Sequence, residues 1–180
     1  MRSLILACAL LLAAPLAGCG EKQAAQLPPP HAMTAEAIGH FCGMNLLEHP
    51  GPKAQILVKS LIEPVWFSTA RDAIAFTMLP DEPKDIAAIY VSDMAKAQSW
   101  DKPGADNWVE ARKAVYVIGS GVTGGMGGEE TVPFSDRDVA EKFVAKNGGR
   151  IVAFADVPRD YVIGSAPDKP GPGADHGPAD

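Results

Sequence analysis

Cys42 and Met44 are the residues of this chain best suited to chemistry. A thiol and a thioether stand two positions apart in Gly39-His40-Phe41-Cys42-Gly43-Met44, with imidazoles at His40 and His49 on either side. In an extended segment, residues i and i+2 project to the same side, which directs both sulfurs toward one ion. Such a soft, low-charge pair suits Cu(I) rather than Mg²⁺ or Ca²⁺. Candidates for a third donor are Met126, His40, His49, Met94 or a group from a partner. An incomplete protein shell suits a carrier, because the recipient supplies the remaining donor. Structural zinc wants four nitrogen or sulfur ligands, and Cys-x-x-Cys pairing is absent.

Two other readings use the same residues. In the first, Cys42 is the nucleophile of an enzyme, with His40 or His49 as its base; no oxyanion hole or orienting acid is marked in the sequence. In the second, Cys42 is a buried small hydrophobe in a lipoprotein that serves assembly or docking. The glycine-rich stretch 119–128 does not point to phosphate binding. It lacks a following Gly-Lys-Ser/Thr and lies between strands rather than at a strand-to-helix turn. Six glycines in ten residues predict a mobile loop with Met126 as its one large side chain.

The cysteine count bears on how the thiol survives. Met1-Arg2-Ser3 and the apolar run Leu4 to Leu16 end in Leu16-Ala17-Gly18-Cys19. This has the charge, length and small residues of an export signal, and it resembles the lipobox of bacterial lipoproteins, in which the cysteine is lipidated. Cys8 leaves with residues 1–18 and Cys19 carries lipid, so Cys42 remains alone and no internal disulfide can form. Loss of Arg2 moves the net charge from −6 to −7. That acidic balance, without a basic cluster, argues against nucleic acid. No second apolar stretch is long enough to span a bilayer, so attachment is by lipid alone.

The elements that must position Cys42 follow a repeat. Lys53 to Ser60 and Lys113 to Ser120 are matching β-rich runs. Each leads to a second short strand, Pro64 to Phe67 and Thr131 to Phe134, and then to a helix start, Ser68 to Phe76 and Ser135 to Phe143. Ser68 and Ser135 are expected N-caps, with Asp72 and Asp138 near the positive helix ends. Asp85 to Val91 and Arg150 to Ala155 close the units. The expected fold is therefore α+β, two tandem ββαβ units packed together. The first spans 37–96 and carries the Cys-x-Met pair; the second spans 97–163 and carries the Met126 loop. Trp100 and Trp108 are expected to wedge the units together. Residues 19–36 form a Pro-rich linker from the lipid anchor, with a brief turn at Thr34. Residues 164–180, with His176, form a disordered tail.

Taken over the whole body, the sequence resembles the NosL family of accessory lipoproteins. The matching pieces are the lipobox, Gly39 to Met44, Glu48-His49-Pro50-Gly51-Pro52-Lys53, Trp66-Phe67 with Arg71-Asp72-Ala73, and Tyr90-Val91-Ser92-Asp93-Met94. They continue through Ser99-Trp100, Asn107-Trp108, Gly119-Ser120, Gly124-Gly125-Met126-Gly127 and Val132-Pro133-Phe134-Ser135. The resemblance implies a periplasmic Cu(I) chaperone, lipid-anchored to the outer membrane through Cys19. It implies delivery of copper for the copper–sulfur centre of nitrous oxide reductase, with the NosD, NosF and NosY membrane complex as partner. It carries metal ligation onto Cys42 and Met44, and matches Met126 to the family's Gly-Gly-Met-Gly loop. It also implies likeness in fold to the organomercurial lyase MerB. With one usable cysteine and no second thiol, that likeness is not read as activity; the expected protein is a carrier, not an enzyme.

Overall fold

The computed structural model describes residues 26–164 of the 180. The export signal expected over 1–18, the lipidation site Cys19, and residues 165–180 with His176 lie outside the described residues.

The first sheet grows around Ala54–Val58 (β1), buried along its whole length because both faces are covered. β1 pairs antiparallel with Val65–Phe67 (β2) on one edge and Ile86–Ser92 (β3) on the other. Helix Ala70–Met78 (α1) packs on one face, placing Ala70, Ala73, Ile74 and Phe76 in the core at the three-to-four-residue spacing of an apolar helical stripe. Trp108–Glu110 (β4) adds a fourth strand beside β3, and Trp108 covers the opposite face with Leu57, Ala88 and Tyr90. The sequence reading had Trp108 only as a wedge between the units; a strand of three residues leaves little pattern to detect.

The second sheet repeats this plan. Val115–Ile118 (β5) lies between Val132–Phe134 (β6) and Arg150–Ala153 (β7), and Arg137–Asn147 (α2) packs against it. The strand orders β2-β1-β3 and β6-β5-β7 correspond. Ala54 stands opposite Phe67 and Val91, just as Val115 stands opposite Phe134 and Ala153. The architecture is α+β, with two ββαβ units built on small antiparallel sheets. A short helix, Arg159–Ile163 (α3), follows and buries Val162 in the first core.

Both helices start one residue later than the sequence predicted. The α1 cap is Thr69, whose Oγ1 accepts from the Asp72 amide at 3.0 Å. The α2 cap is Asp136, whose carboxylate accepts from Asp138 and Val139 at 2.8 and 3.3 Å. Either residue accepts amide bonds as a serine would, so Ser68 and Ser135 are released for other contacts.

The body also takes in part of the Pro-rich stretch. Tyr90 donates its hydroxyl to the Pro28 carbonyl at 2.7 Å, and the Gln55 side chain brackets the His31 backbone with two bonds of 2.8 Å. Thr34 to Ala37 forms a turn closed by the Ala37 amide on the Thr34 carbonyl at 3.1 Å.

Candidate metal centre

Cys42 lies at the tip of a tight loop held against the edge of the first sheet. An isolated antiparallel bridge pairs Ile38 with Asn45, and the Gly39 amide donates to the Met44 carbonyl at 2.9 Å. The Gly43 amide bends back to the Gly39 carbonyl at 2.8 Å, which requires the positive φ of +65° that glycine tolerates. The segment is therefore a turn rather than the extended run expected, and strand alternation does not set the directions of Cys42 and Met44. Leu46 and Ala37 bury the base of the loop with Met33, against Trp66 and Trp108. The loop meets β2 through the His40 amide, which donates to the Trp66 carbonyl at 2.8 Å.

The thiol is half-buried and is the free cysteine among the described residues. Its Sγ has two polar neighbours, Ser68 Oγ at 3.6 Å and the Gly39 carbonyl at 4.0 Å. Ser68 immediately precedes the α1 cap, so the sulfur sits beside the start of that helix. Met44 presents its thioether to solvent, with 39% of its surface exposed.

The third candidate soft donor, Met126, belongs to the other unit. The connection between β5 and β6 is a hydrogen-bonded hairpin extension. Thr123 bridges Glu129, the Gly124 amide donates to the Gly128 carbonyl at 2.8 Å, and the Glu130 amide donates to the Val122 carbonyl at 3.0 Å. Three of its six glycines, Gly124, Gly125 and Gly128, are sites of close approach. A Cβ on Gly125 would stand 2.6 Å from His49 Cβ and 2.9 Å from the Pro50 carbonyl oxygen. One on Gly124 would meet Glu130 Oε2 at 2.5 Å and Thr69 Cγ2 at 3.1 Å, and one on Gly128 would meet the Arg71 guanidinium at 2.8 Å. The loop is thus seated over the start of α1 and against His49, and Met126 projects from it with 45% exposure.

His49 joins the two loops. Its Nδ1 lies 3.1 Å from the Gly125 carbonyl. A carbonyl only accepts, so Nδ1 is the donor, and in that tautomer of the neutral ring the lone pair is on Nε2. That Nε2 is buried and has no hydrogen-bond partner. A buried lone pair fixed by a bond at the other ring nitrogen is the usual state of a ligating imidazole. The backbone beside it is pinned by Lys53, whose Nζ donates to the carbonyls of Pro50 and Gly51 at 3.0 and 2.7 Å.

Beneath the loop lies Glu130, fully buried. Its Oε1 accepts from the amides of Arg71 and Thr131 at 2.9 Å each, while Oε2 has no partner. Burial pushes this carboxyl up to about 8, against the pull of those amides and of Lys53. Burial likewise lowers the Lys53 ammonium to about 8, opposed by the Glu130 charge. The Arg71 guanidinium ties the loop base to α3, donating to the carbonyls of Glu129 and Val162 at 3.2 and 3.3 Å.

Residues 30–162 match the NosL family. The chain belongs to the NosL family. It is 48% identical over 164 residues to a copper-binding lipoprotein NosL from Achromobacter cycloclastes, covering 91% of this chain and 83% of that one. A copper-binding lipoprotein NosL from Stutzerimonas stutzeri is 30% identical over 171 residues, covering 94% and 88% of the two chains. The crystal structure of the copper chaperone NosL from Shewanella denitrificans superposes with a TM-score of 0.68 at 33% identity. It covers 73% of this chain and 98% of its own. These NosL relatives are named for copper binding and chaperone action, not as enzymes.

Among the candidate donors of this NosL-family chain, the fold separates two groups. Cys42 lies beside Ser68 at the start of α1, and the Met126 loop lies against Thr69 of that same start and against His49, while Met44 follows Cys42 on its own loop. Met94 instead packs against the core of the second unit, with Trp100, Val132 and Phe134 nearby. His40 turns to Glu82, with Nε2 3.1 Å from its carboxylate, and its ring lies among Phe41, Phe67 and Phe76. Neither imidazole hydrogen-bonds to the Cys42 sulfur. No group of three or more His, Cys, Asp or Glu able to hold a metal occurs among the described residues, so a soft ion would rely on the methionines. Sequence reasoning missed Ser68, which it had assigned to helix capping; the doubled Phe-Ser before each helix was the signal.

Proposed function

We propose that this protein is a Cu(I) carrier. Cys42 supplies a thiolate and Met44 a thioether from the same loop. Met126 supplies a second thioether from the hairpin of the other unit, and His49, whose Nε2 is buried and unpartnered, supplies a nitrogen. Few, soft donors of low total charge match Cu(I) and disfavour hard cations. The observation that carries the reading is the half-buried thiol of Cys42 beside the start of α1, with the backbone of the Met126 loop seated at that same helix start against His49, whose Nε2 is buried and unpartnered. Half-exposed donors leave the ion open to exchange with a recipient's ligands.

The recipient pathway is the maturation of the copper–sulfur centre of nitrous oxide reductase, with NosD, NosF and NosY as the docking partner. Ile38, Phe41 and Leu47, on and beside the Cys42 loop, and Ile62 are exposed large apolar side chains, a surface suited to transient contact. The protein works in the periplasm, held to the outer membrane by lipid on Cys19. Thiol catalysis finds no support, since Cys42 lacks a base within hydrogen-bond reach.

An anaerobic Cu(I) titration of a soluble form starting after Cys19, against a coloured chelator, tests the reading. One ion per chain is expected, with binding abolished in Cys42→Ala and weakened in Met44→Ala. Failure of the wild type to take copper from the chelator would leave the docking-lipoprotein reading in its place.

A further inference from the structure

We propose that Ser68 is the positioning residue for the copper-binding sulfur, donating its Oγ–H to the Cys42 thiolate; this rests on Cys42 being the copper ligand. The argument comes from the second unit, where the same position can be read directly. The registers β1–β2 and β5–β6 make Trp66 equivalent to Pro133, and Ser68 equivalent to Ser135. The His40 amide donates to the Trp66 carbonyl at 2.8 Å, and the Met94 amide donates to the Pro133 carbonyl at 3.0 Å. His40 and Met94 therefore meet the same position of the second strand in their respective units, and Gly39 and Asp93 are the residues that precede them.

In the second unit the well at Ser135 holds an anion. The Asp93 carboxylate accepts from Ser135 Oγ at 2.5 Å and from the Ser135 amide at 2.9 Å, with Ala95 and Lys96 completing its partners. Burial raises this carboxyl, but those bonds outweigh it and hold it below its ordinary value. In the first unit Gly39 precedes the residue bonded to that strand position, and the space a side chain on it would fill is taken by the Cys42 sulfur. A Cβ on Gly39 would lie 2.5 Å from Cys42 Sγ. Gly39 does not have a positive φ, so its backbone makes no demand for glycine; the sulfur does. Ser68 Oγ, buried, then stands 3.6 Å from that sulfur. The repeat has kept the serine of the anion well and exchanged a carboxylate for a thiolate.

A hydrogen bond to a metal-bound thiolate steadies its direction and lowers the energy of its lone-pair electrons. The test compares wild type, Ser68→Ala, Ser68→Thr and Cys42→Ala in anaerobic Cu(I) competition, with the ultraviolet thiolate-to-Cu(I) band recorded in each. Ser68→Ala is expected to bind about tenfold more weakly, the low end for loss of a ligand's supporting bond. Its band should move to longer wavelength, because the electrons of the transition start from an unsupported sulfur. Ser68→Thr, which keeps the hydroxyl, should keep the wild-type band. Unchanged affinity and band in Ser68→Ala overturn the role of Ser68 and leave the copper site standing. Wild-type affinity in Cys42→Ala overturns both.

Discussion

Replacing Gly39 with alanine should separate copper binding from folding. The new Cβ falls 2.5 Å from Cys42 Sγ, about an ångström inside an ordinary contact. The obstacle is the end of a short side chain, so the cheapest relief is rotation of Cys42 to another staggered rotamer. That swings Sγ by roughly 3 Å, out of the well beside Ser68. The folding cost should then stay below about 1 kcal/mol, whereas a sulfur that held its place would impose the 1–3 kcal/mol typical of overpacking. Cu(I) affinity should fall by at least about tenfold, because the thiolate no longer faces its supporting hydroxyl. Chelator competition and urea unfolding on the same samples read both quantities. A Gly39→Ala protein with wild-type affinity would refute the steric reading of the sulfur well.

Gly125→Ala should act on the facing loop. Its Cβ would meet His49 Cβ at 2.6 Å and the Pro50 carbonyl oxygen at 2.9 Å. Backbone cannot rotate away as a thiol can, so we expect a loss of about 1–3 kcal/mol in urea unfolding and weaker Cu(I) binding together. Unchanged stability would mean that the loop is not seated on His49. The buried Glu130 should make stability depend on pH. Its carboxyl is raised from 4.5 to about 8, so between those values the folded chain holds a proton that the unfolded chain has released. Stability should therefore be fullest below pH 4.5 as far as this group is concerned, and should be lost as pH rises through about 8. The slope cannot exceed about 1.4 kcal/mol per pH unit for one proton. Lys53, lowered from 10.5 to about 8, is charged in both states across that window and adds slope only above it. Urea midpoints between pH 5 and pH 8 should fall in the wild type and flatten in Glu130→Gln; a flat wild-type profile would contradict the burial argument.

The repeat was legible because its marks are local: two β-rich runs and a Phe-Ser pair before each helix, at Phe67-Ser68 and Phe134-Ser135. The soft character of Cys42 and Met44 was legible from residue type alone. Their geometry was not, since Gly43 turns the chain where an extended segment was expected. Ser68 was misassigned because Thr69 can cap α1 equally well, and propensity alone cannot choose between adjacent hydroxyls. Composition counts the glycines of the Met126 loop and cannot see that Gly124, Gly125 and Gly128 lie against neighbouring groups. Glu130 and Lys53 carry no signal in the sequence that distinguishes them from solvated charges; only the folded chain buries them together.

The most direct test of the account is copper K-edge X-ray absorption on the Cu(I)-loaded protein and on its Cys42→Ala, Met44→Ala, Met126→Ala and His49→Ala variants. The account predicts a shell dominated by sulfur. It should lose sulfur scattering when Cys42, Met44 or Met126 is removed, and nitrogen scattering when His49 is removed. A shell of nitrogen and oxygen alone, or one that none of these substitutions changes, would contradict it.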